Sequence, residues 1–390
     1  MPMRPCWVEI DTQAFADNYR FLKSLAAPGA ELMAVVKSDA YGHSLAACAP
    51  AAVRAGAGWL GVTSVEEAIA TRALCPHAQI LAMSGCYPGE GAEVVEHCLT
   101  PVVWEPWHLD ELEAAARAAG INTLPVHLEI DSGMSRQGVD LAGLPAILAR
   151  LAGSPLRVEA VLTHLYAADE SDGLATHAQM AVLEQALQLI AAAGLPSSPG
   201  WLSAGSSAAL LNGGFDSIGE LAGRFSMKAM LRPGLALYGV APHFEPDEPP
   251  AVTAARAQLR PVLSWKTSVV SVRTIPAGAV VGYNGTFVAT EPMRLALLAV
   301  GYADGLDRHL GNNFSLLVHG QRAPLVGRIS MDLAVADVTE IEGVAAGDEV
   351  VILGSQGGET ITAHEHARAT GTIPWEVFTR IGARVRRVIL

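Results

Sequence analysis

The sequence of 390 residues is poor in charge. Only 17 % of it is Asp, Glu, Lys or Arg, and cations are the scarcer sign, with 26 Lys+Arg against 39 Asp+Glu. The formal net charge of −13 repels phosphate backbones and anionic lipid, which excludes nucleic acid as a general partner. A local basic seat for one small anion is still allowed. Cysteine is scarce as well. The five present (Cys6, Cys48, Cys75, Cys86 and Cys98) form no framework spacing, so the odd count points to free thiols in a reducing, cytoplasmic compartment. Long apolar runs are missing: MPMRPCWVEIDTQAF has no signal-peptide stretch. The longest uncharged run, 185–215, holds Pro196, Pro199 and several glycines and serines, and reads as a helix end followed by loop and strand. What is plentiful is apolar surface, at 51 % of residues, enough to fill a large core and to exclude a disordered or collagen-like chain. At about 150 residues per domain the length fits two domains or three.

The apolar residues come in short runs. After WVEI (7–10) and a helix opening at Asp11, the runs are MAVVK (33–37), WLGV (59–62), ILAM (80–83), PVVW (101–104), PVHLEI (125–130), VEAVLTH (158–164), WLSA (201–204) and GLALYG (234–239). Between most of them lie stretches with helical spacing, such as 108–120 and 177–194, ending at Gly120 and Gly194 where a left-handed cap is cheap. Alternating strands and helices imply a parallel sheet, and eight strands fit a closed (β/α)8 barrel. The texture changes at the acidic, proline-rich HFEPDEPP (243–250). Beyond it, β-branched runs separated by glycine turns predict a mostly-β domain, with few helices until AHEHARAT (363–370). The expected division is a barrel over 11–245 and a β-rich domain over 246–390. GSQGG (354–358) reads as a β turn, and His364 and His366 as a solvated helix face with no third metal ligand at a matching spacing. The stretch 212–230 reads as a surface excursion or an extra dimer contact.

Barrels of this type place their chemistry at the carboxyl ends of the strands. There the sequence offers Lys37, directly after four apolar residues, and His164. Lys37 is either a rim lysine whose stem snorkels or a desolvated amine ready to form a Schiff base. His164 is either a structural strand-end histidine or part of the site. Ser206 and Ser207 in SAGSSAA, with Arg232 and Gly234 in RPGLALYG, offer hydroxyl, backbone N–H and guanidinium donors at the last two strands, where barrels often seat phosphate. A lysine nucleophile plus a phosphate seat suggests pyridoxal 5'-phosphate, although sugar-phosphate aldolases share the constellation.

Here a resemblance becomes specific. AVVKSDAYGH looks like the cofactor-attachment motif of the alanine racemase family. WVEIDTQAFADNYR, HLEIDSGMSRQG, LTHLYAADE, RPGLALYG, VGYNGTF, VGYADG, GRISMDL and GTIPWEV are similar to that family's blocks in the same order, from about residue 7 to 388. The resemblance implies a fold-type III pyridoxal-phosphate enzyme: the barrel, a β domain that also takes in residues 1–10, and a head-to-tail homodimer in which each active site borrows residues from the partner. It implies that Lys37 carries the cofactor and serves one face of the substrate. Tyr283 from the other subunit would be the second base on the opposite face. Arg232 would donate to the pyridine nitrogen, where a cation with no proton to lose leaves that nitrogen largely unprotonated and disfavours transamination. Arg136 would lie near the substrate carboxylate, and His164 would pack against the ring and link to Arg232. Tyr41, Ser207, Gly234 and Leu235 would contact the phosphate. Met331 and Asp332 would form the partner-derived part of the substrate pocket, and Tyr302 and Asp304 would line the entrance.

Two positions depart from the family pattern. Glu129 stands where many members carry a lysine that becomes carbamylated; it reads as a permanent negative charge that still orients Arg136. Trp375 stands where the family usually has a tyrosine reaching the phosphate, so it keeps an N–H donor and a large apolar wall but reshapes the substrate end. The implied activity is interconversion of L- and D-alanine, supplying D-alanine for peptidoglycan in a bacterium. The alternatives are a serine or broad-specificity racemase, a decarboxylase or D-amino-acid lyase, and a non-enzymatic cofactor carrier. The second domain with Tyr283 argues against the carrier, and Arg232 against a decarboxylase.

Overall fold

The structure, a computed structural model, describes residues 4–390. Its contacts divide it into two compact units: Gln13–Ala40 with Cys48–Arg260, and Tyr41–Ala47 with Pro261–Leu390 and the described residues up to Thr12. The division falls at Arg260/Pro261, later than the expected 245/246. The helix Pro250–Arg256 explains the difference: Val252 and Ala255 are buried, and Arg256 donates to the carbonyls of Ala241 and Pro242, tying HFEPDEPP back to the first unit.

The first strand, β1 (Cys6–Ile10), belongs to the second unit. The next eight are β2 (Glu31–Val35), β3 (Trp59–Val62), β4 (Gln79–Ala82), β5 (Thr100–Val103), β6 (Leu124–Glu129), β7 (Leu156–Leu162), β8 (Trp201–Gly205) and β9 (Lys228–Leu231). They pair in parallel in chain order, and β9 returns to β2 through Glu31↔Met230 to close the barrel. Strands covered on both faces need near-continuous apolar runs, which is why WLGV and TPVV are buried at every position. The interior is a filled core of Met33, Trp59, Leu81, Val102, Leu162 and Met230.

Seven of the eight expected barrel strands overlap observed ones; the eighth does not. GLALYG is a buried 3₁₀ turn, Leu235–Tyr238, and the closing strand is β9, inside the stretch 212–230. That stretch is no surface excursion. It carries the helix Phe215–Arg224, whose Ile218, Leu221 and Ala222 are buried, and then the strand that completes the sheet.

The second unit is built on a nine-stranded, mostly antiparallel sheet. Its spine is β10 (Leu263–Ile275), which pairs with β1 and, beyond a bulge between Val269 and Ser271, with β13 (Met293–Leu298). A separate two-stranded hairpin, β11 (Val280–Val281) with β12 (Phe287–Val288), carries Tyr283 in its turn. The sheet is completed by β14 (Ser315–Val318), β15 (Gln321–Pro324), β16 (Ala334–Asp337), β17 (Glu349–Gln356), β18 (Glu359–Ile361) and β19 (Arg386–Ile389). Of GSQGG, only Gly357 and Gly358 form the turn between β17 and β18; Gly354, Ser355 and Gln356 end β17 and pair with β18. His366 is buried, with Nε2 2.8 Å from the Ile352 carbonyl, so the solvated face expected for it is not found; its ring packs against Phe314. Among the described residues no cluster of His, Cys, Asp and Glu could hold a metal, and no helix is long and apolar enough to cross a membrane.

Candidate active site

Lys37 follows five buried apolar residues, Leu32 to Val36, so its backbone is fixed by the barrel wall while its amine stands at the strand's carboxyl end. The chain then does something costly. Ser38, Asp39, Ala40 and Tyr41 take φ of 55°, 52°, 54° and 55°, a complete left-handed turn without a glycine. Each such residue costs roughly 1–2 kcal/mol, and strain of this kind persists only where surrounding contacts over-determine it. Burial pushes the Lys37 ammonium below its ordinary value; the cations Arg136 and Arg232 push the same way, and Glu67 opposes them.

The opposite wall supplies donors. The Ser207 hydroxyl accepts from Gly234 N (3.0 Å) and Ala236 N (3.2 Å). Those two bonds use its lone pairs and leave its own O–H to donate to an anion. Arg232 is buried just beyond β9, its guanidinium held by Ser203 Oγ at 2.5 Å and the Thr163 carbonyl at 2.8 Å. Burial lowers it to about 10, so it stays a cation at neutral pH. His164, two residues past β7, is pushed down to about 3 by burial and by Arg232, Arg136 and Lys37, and is a neutral imidazole. No hydrogen bond joins it to Arg232 among the described residues; Ser203 and Thr163 take that part.

Glu129 differs from its expectation in two ways. Its partner is Gln137, whose amide donates to Oε2 at 2.5 Å and to the Met83 carbonyl at 3.1 Å, while Arg136 is exposed and influences Glu129 only through space. Nor is its charge permanent: burial pushes the carboxyl up to about 7 against the pull of Gln137, Arg232 and Arg136. A folded value above the unfolded one means that the native state holds the extra proton from the ordinary glutamate range up to pH ~7, so Glu129's contribution to stability falls as pH rises through that window. Thermal unfolding of Glu129→Gln against the parent should therefore give a difference near zero at pH 4 that grows in the variant's favour up to pH 8. A difference that does not change with pH would contradict this titration.

The second unit carries the other expected residues. Tyr283 sits in the β11–β12 turn between Gly282 and Asn284, both at positive φ, and is 69 % exposed beside a hollow lined by Leu297, Arg328 and Leu333. Tyr302, Asp304, Met331 and Asp332 form one group. The turn Tyr302–Asp304 hangs on the Ser330 and Met331 carbonyls through Tyr302 N and Ala303 N, so close that a Cβ on Gly301 would lie 2.4 Å from both. The fully buried Asp304 carboxylate accepts from Arg4 (2.8 Å), Arg384 (2.7 Å) and Gly301 N (2.8 Å), and Arg384 also reaches Asp332 at 2.7 Å. Tyr41 and Trp375 lie on neighbouring segments: a Cβ on Gly42 would meet the Phe378 carbonyl at 2.5 Å, and the His43 ring packs against Phe378 in the helix Pro374–Thr379 that carries Trp375. Burial pushes the Tyr41 phenol well above its ordinary value.

Sequence reasoning missed Glu67, Gln137, Ser203 and Thr163. Gln137 and Thr163 lie inside quoted motifs. Glu67 sits in Ser64-x-x-Glu67, a pattern that otherwise marks a helix start.

A closed (β/α)8 barrel with a strand-end lysine and an anion seat, joined in one chain to a mostly-β unit, is the architecture of one class of enzymes. The model of the alanine racemase N-terminal domain matches residues 10–242, and that of the C-terminal domain residues 262–389. The alanine racemase of Syntrophobacter fumaroxidans is 39 % identical over 384 residues, covering 97 % of this chain and 96 % of its own. Among solved structures, alanine racemase from a D-cycloserine-producing Streptomyces lavendulae superposes with a TM-score of 0.87 at 36 % identity, over 100 % of this chain and 98 % of that one. That from Bartonella henselae, with covalently bound pyridoxal phosphate, gives a TM-score of 0.83 at 28 % identity over 99 % of each chain. The chain belongs to the alanine racemase family.

Proposed function

We propose that this protein is a pyridoxal-phosphate-dependent racemase that interconverts L- and D-alanine, working as a homodimer. The observation that carries the reading is the barrel end itself, where a desolvated strand-end lysine shares one rim with a buried permanent cation and the Ser207 donor group. That donor set fits the cofactor: an amine for covalent attachment, a hydroxyl with a free proton, itself held by the Gly234 N–H, and the Leu235 N–H for a phosphate, and a guanidinium for a ring nitrogen. The bound cofactor would acidify the substrate's α-hydrogen by spreading the negative charge left behind.

The chain's own residues then divide the work. Lys37 Nζ, whose ammonium form burial disfavours, takes and returns the α-proton on one face. The Tyr283 hydroxyl serves the other face. Its exposure, together with that of Met331 (54 %), Tyr302 (43 %) and Leu333 (38 %), supports its use by a second copy of the chain. Arg232, locked by Ser203 and Thr163, holds positive charge against the ring without giving up a proton. Neutral His164 offers an apolar ring face. Arg136 pairs with the substrate carboxylate, and Tyr41 and Trp375 are assigned to the cofactor's phosphate.

Purified protein supplied with pyridoxal phosphate and L-alanine should bring the two enantiomers to equal amounts by chiral chromatography, and D-alanine should give the same end point. Serine converted much faster than alanine would reassign the substrate, and no change in either would overturn the reading.

A further inference from the structure

The first turn of the helix Val65–Leu74 breaks its own pattern. Ser64 caps it, accepting from Glu67 N at 3.2 Å, and a glutamate three residues after a capping serine ordinarily reaches back to the serine's own N–H. Glu67 does not. Its Oε2 accepts from Thr63 N at 2.9 Å, and its Oε1 crosses to the neighbouring strand end and accepts from Ser38 N at 2.5 Å. Ser38 opens the left-handed turn and is bonded directly to Lys37. The carboxylate therefore ties the loop after β3 to the strained loop after β2, at the residue next to Lys37. It is also the negative charge acting on Lys37, against the cations Arg136 from the loop after β6 and Arg232 from beyond β9.

We infer that Glu67 is a positioning residue for Lys37: its carboxylate clamps the left-handed turn through Ser38 N–H and places a negative charge beside the lysine, opposite in sign to Arg136 and Arg232. The inference rests on Lys37 being the point of cofactor attachment. Two features favour this role over a helix cap. A cap would spend the carboxylate on Ser64 N, and a left-handed turn of four non-glycine residues needs an external acceptor to persist. Glutamine at this position keeps the length and one acceptor but loses the charge and the second strong acceptor.

The test compares Glu67→Gln, Ser64→Ala and the parent as holoproteins, reading the absorbance band of the lysine-bound cofactor from pH 6 to 11 and the cofactor dissociation constant. In Glu67→Gln the band should give way at a pH lower by about one unit, because an opposing charge is gone. The cofactor should also dissociate about tenfold more readily, the worth of one charged hydrogen bond. Ser64→Ala, which weakens the same helix without touching the carboxylate, should lower the melting temperature and leave the band in place. If Glu67→Gln does not fold, Glu67→Asp, a methylene too short for Ser38 but still charged, should release the cofactor more readily while moving the band less than loss of the charge would. A variant that matches the parent in both band and dissociation constant overturns the inference, and so does a Ser64→Ala protein that shifts the band equally. A parent that forms no band at Lys37 would overturn the attachment reading, and this inference with it.

Discussion

Replacing Lys37 by alanine is expected to lower alanine racemisation at least about 10⁴-fold, with the fold intact. The size follows from losing two functions at once: the covalent attachment, and a proton-transfer group that alone contributes about 10²–10⁴-fold. The fold should survive because the side chain is only half-buried at the mouth of the barrel, while the core below it, Met33, Trp59 and Leu81, is untouched. Borohydride treatment of the parent loaded with cofactor should label the peptide containing Lys37, and the variant should take up no label. Label on another lysine of the parent would remove Lys37 from the centre of the account.

The second large effect belongs to Tyr283. Tyr283→Phe should lower turnover by about 10²–10⁴-fold, as expected for loss of a general acid–base group. Cofactor binding and thermal stability should stay as in the parent, because the lost hydroxyl belongs to a side chain that is 69 % exposed. The effect should be one-sided. In D2O one enantiomer should still exchange its α-hydrogen, through Lys37, without converting to the other. Full racemisation by Tyr283→Phe would break the assignment of two groups to two faces.

Much of this was legible in the sequence, for physical reasons that differ by element. Barrel strands buried on both faces must be short apolar runs, so seven of them stood out between helices. The eighth was misread because GLALYG has the same apolar density: all four residues of Leu235–Tyr238 are buried, and burial alone does not tell a strand from a 3₁₀ turn. The true closing strand, KAML, is four residues long, starts on a lysine and hid in a stretch taken for surface. At the site, Lys37, Arg232 and Ser207 followed from where barrels keep their chemistry. Glu67 was hidden because its signature is that of a helix cap, and only its bond to Ser38 reveals the other use. Glu129 was read as a fixed charge because the sequence does not show how deeply it is buried or that Gln137, not Arg136, is bonded to it. His366 failed in the same way, since a histidine in a polar helix gives no sign that a strand carbonyl waits for it.

A single mixed dimer tests the proposed division of labour between two copies of the chain. Co-expressing Lys37→Ala and Tyr283→Phe chains with different tags and purifying only dimers that carry both leaves one of the two sites with an intact amine from one chain and an intact phenol from the other. Racemase activity should reappear there well above that of either single-variant homodimer, each of which is lowered at least about 10²-fold. A mixed dimer as inactive as its parents would mean that Lys37 and Tyr283 do not meet across protomers, and would contradict the central claim.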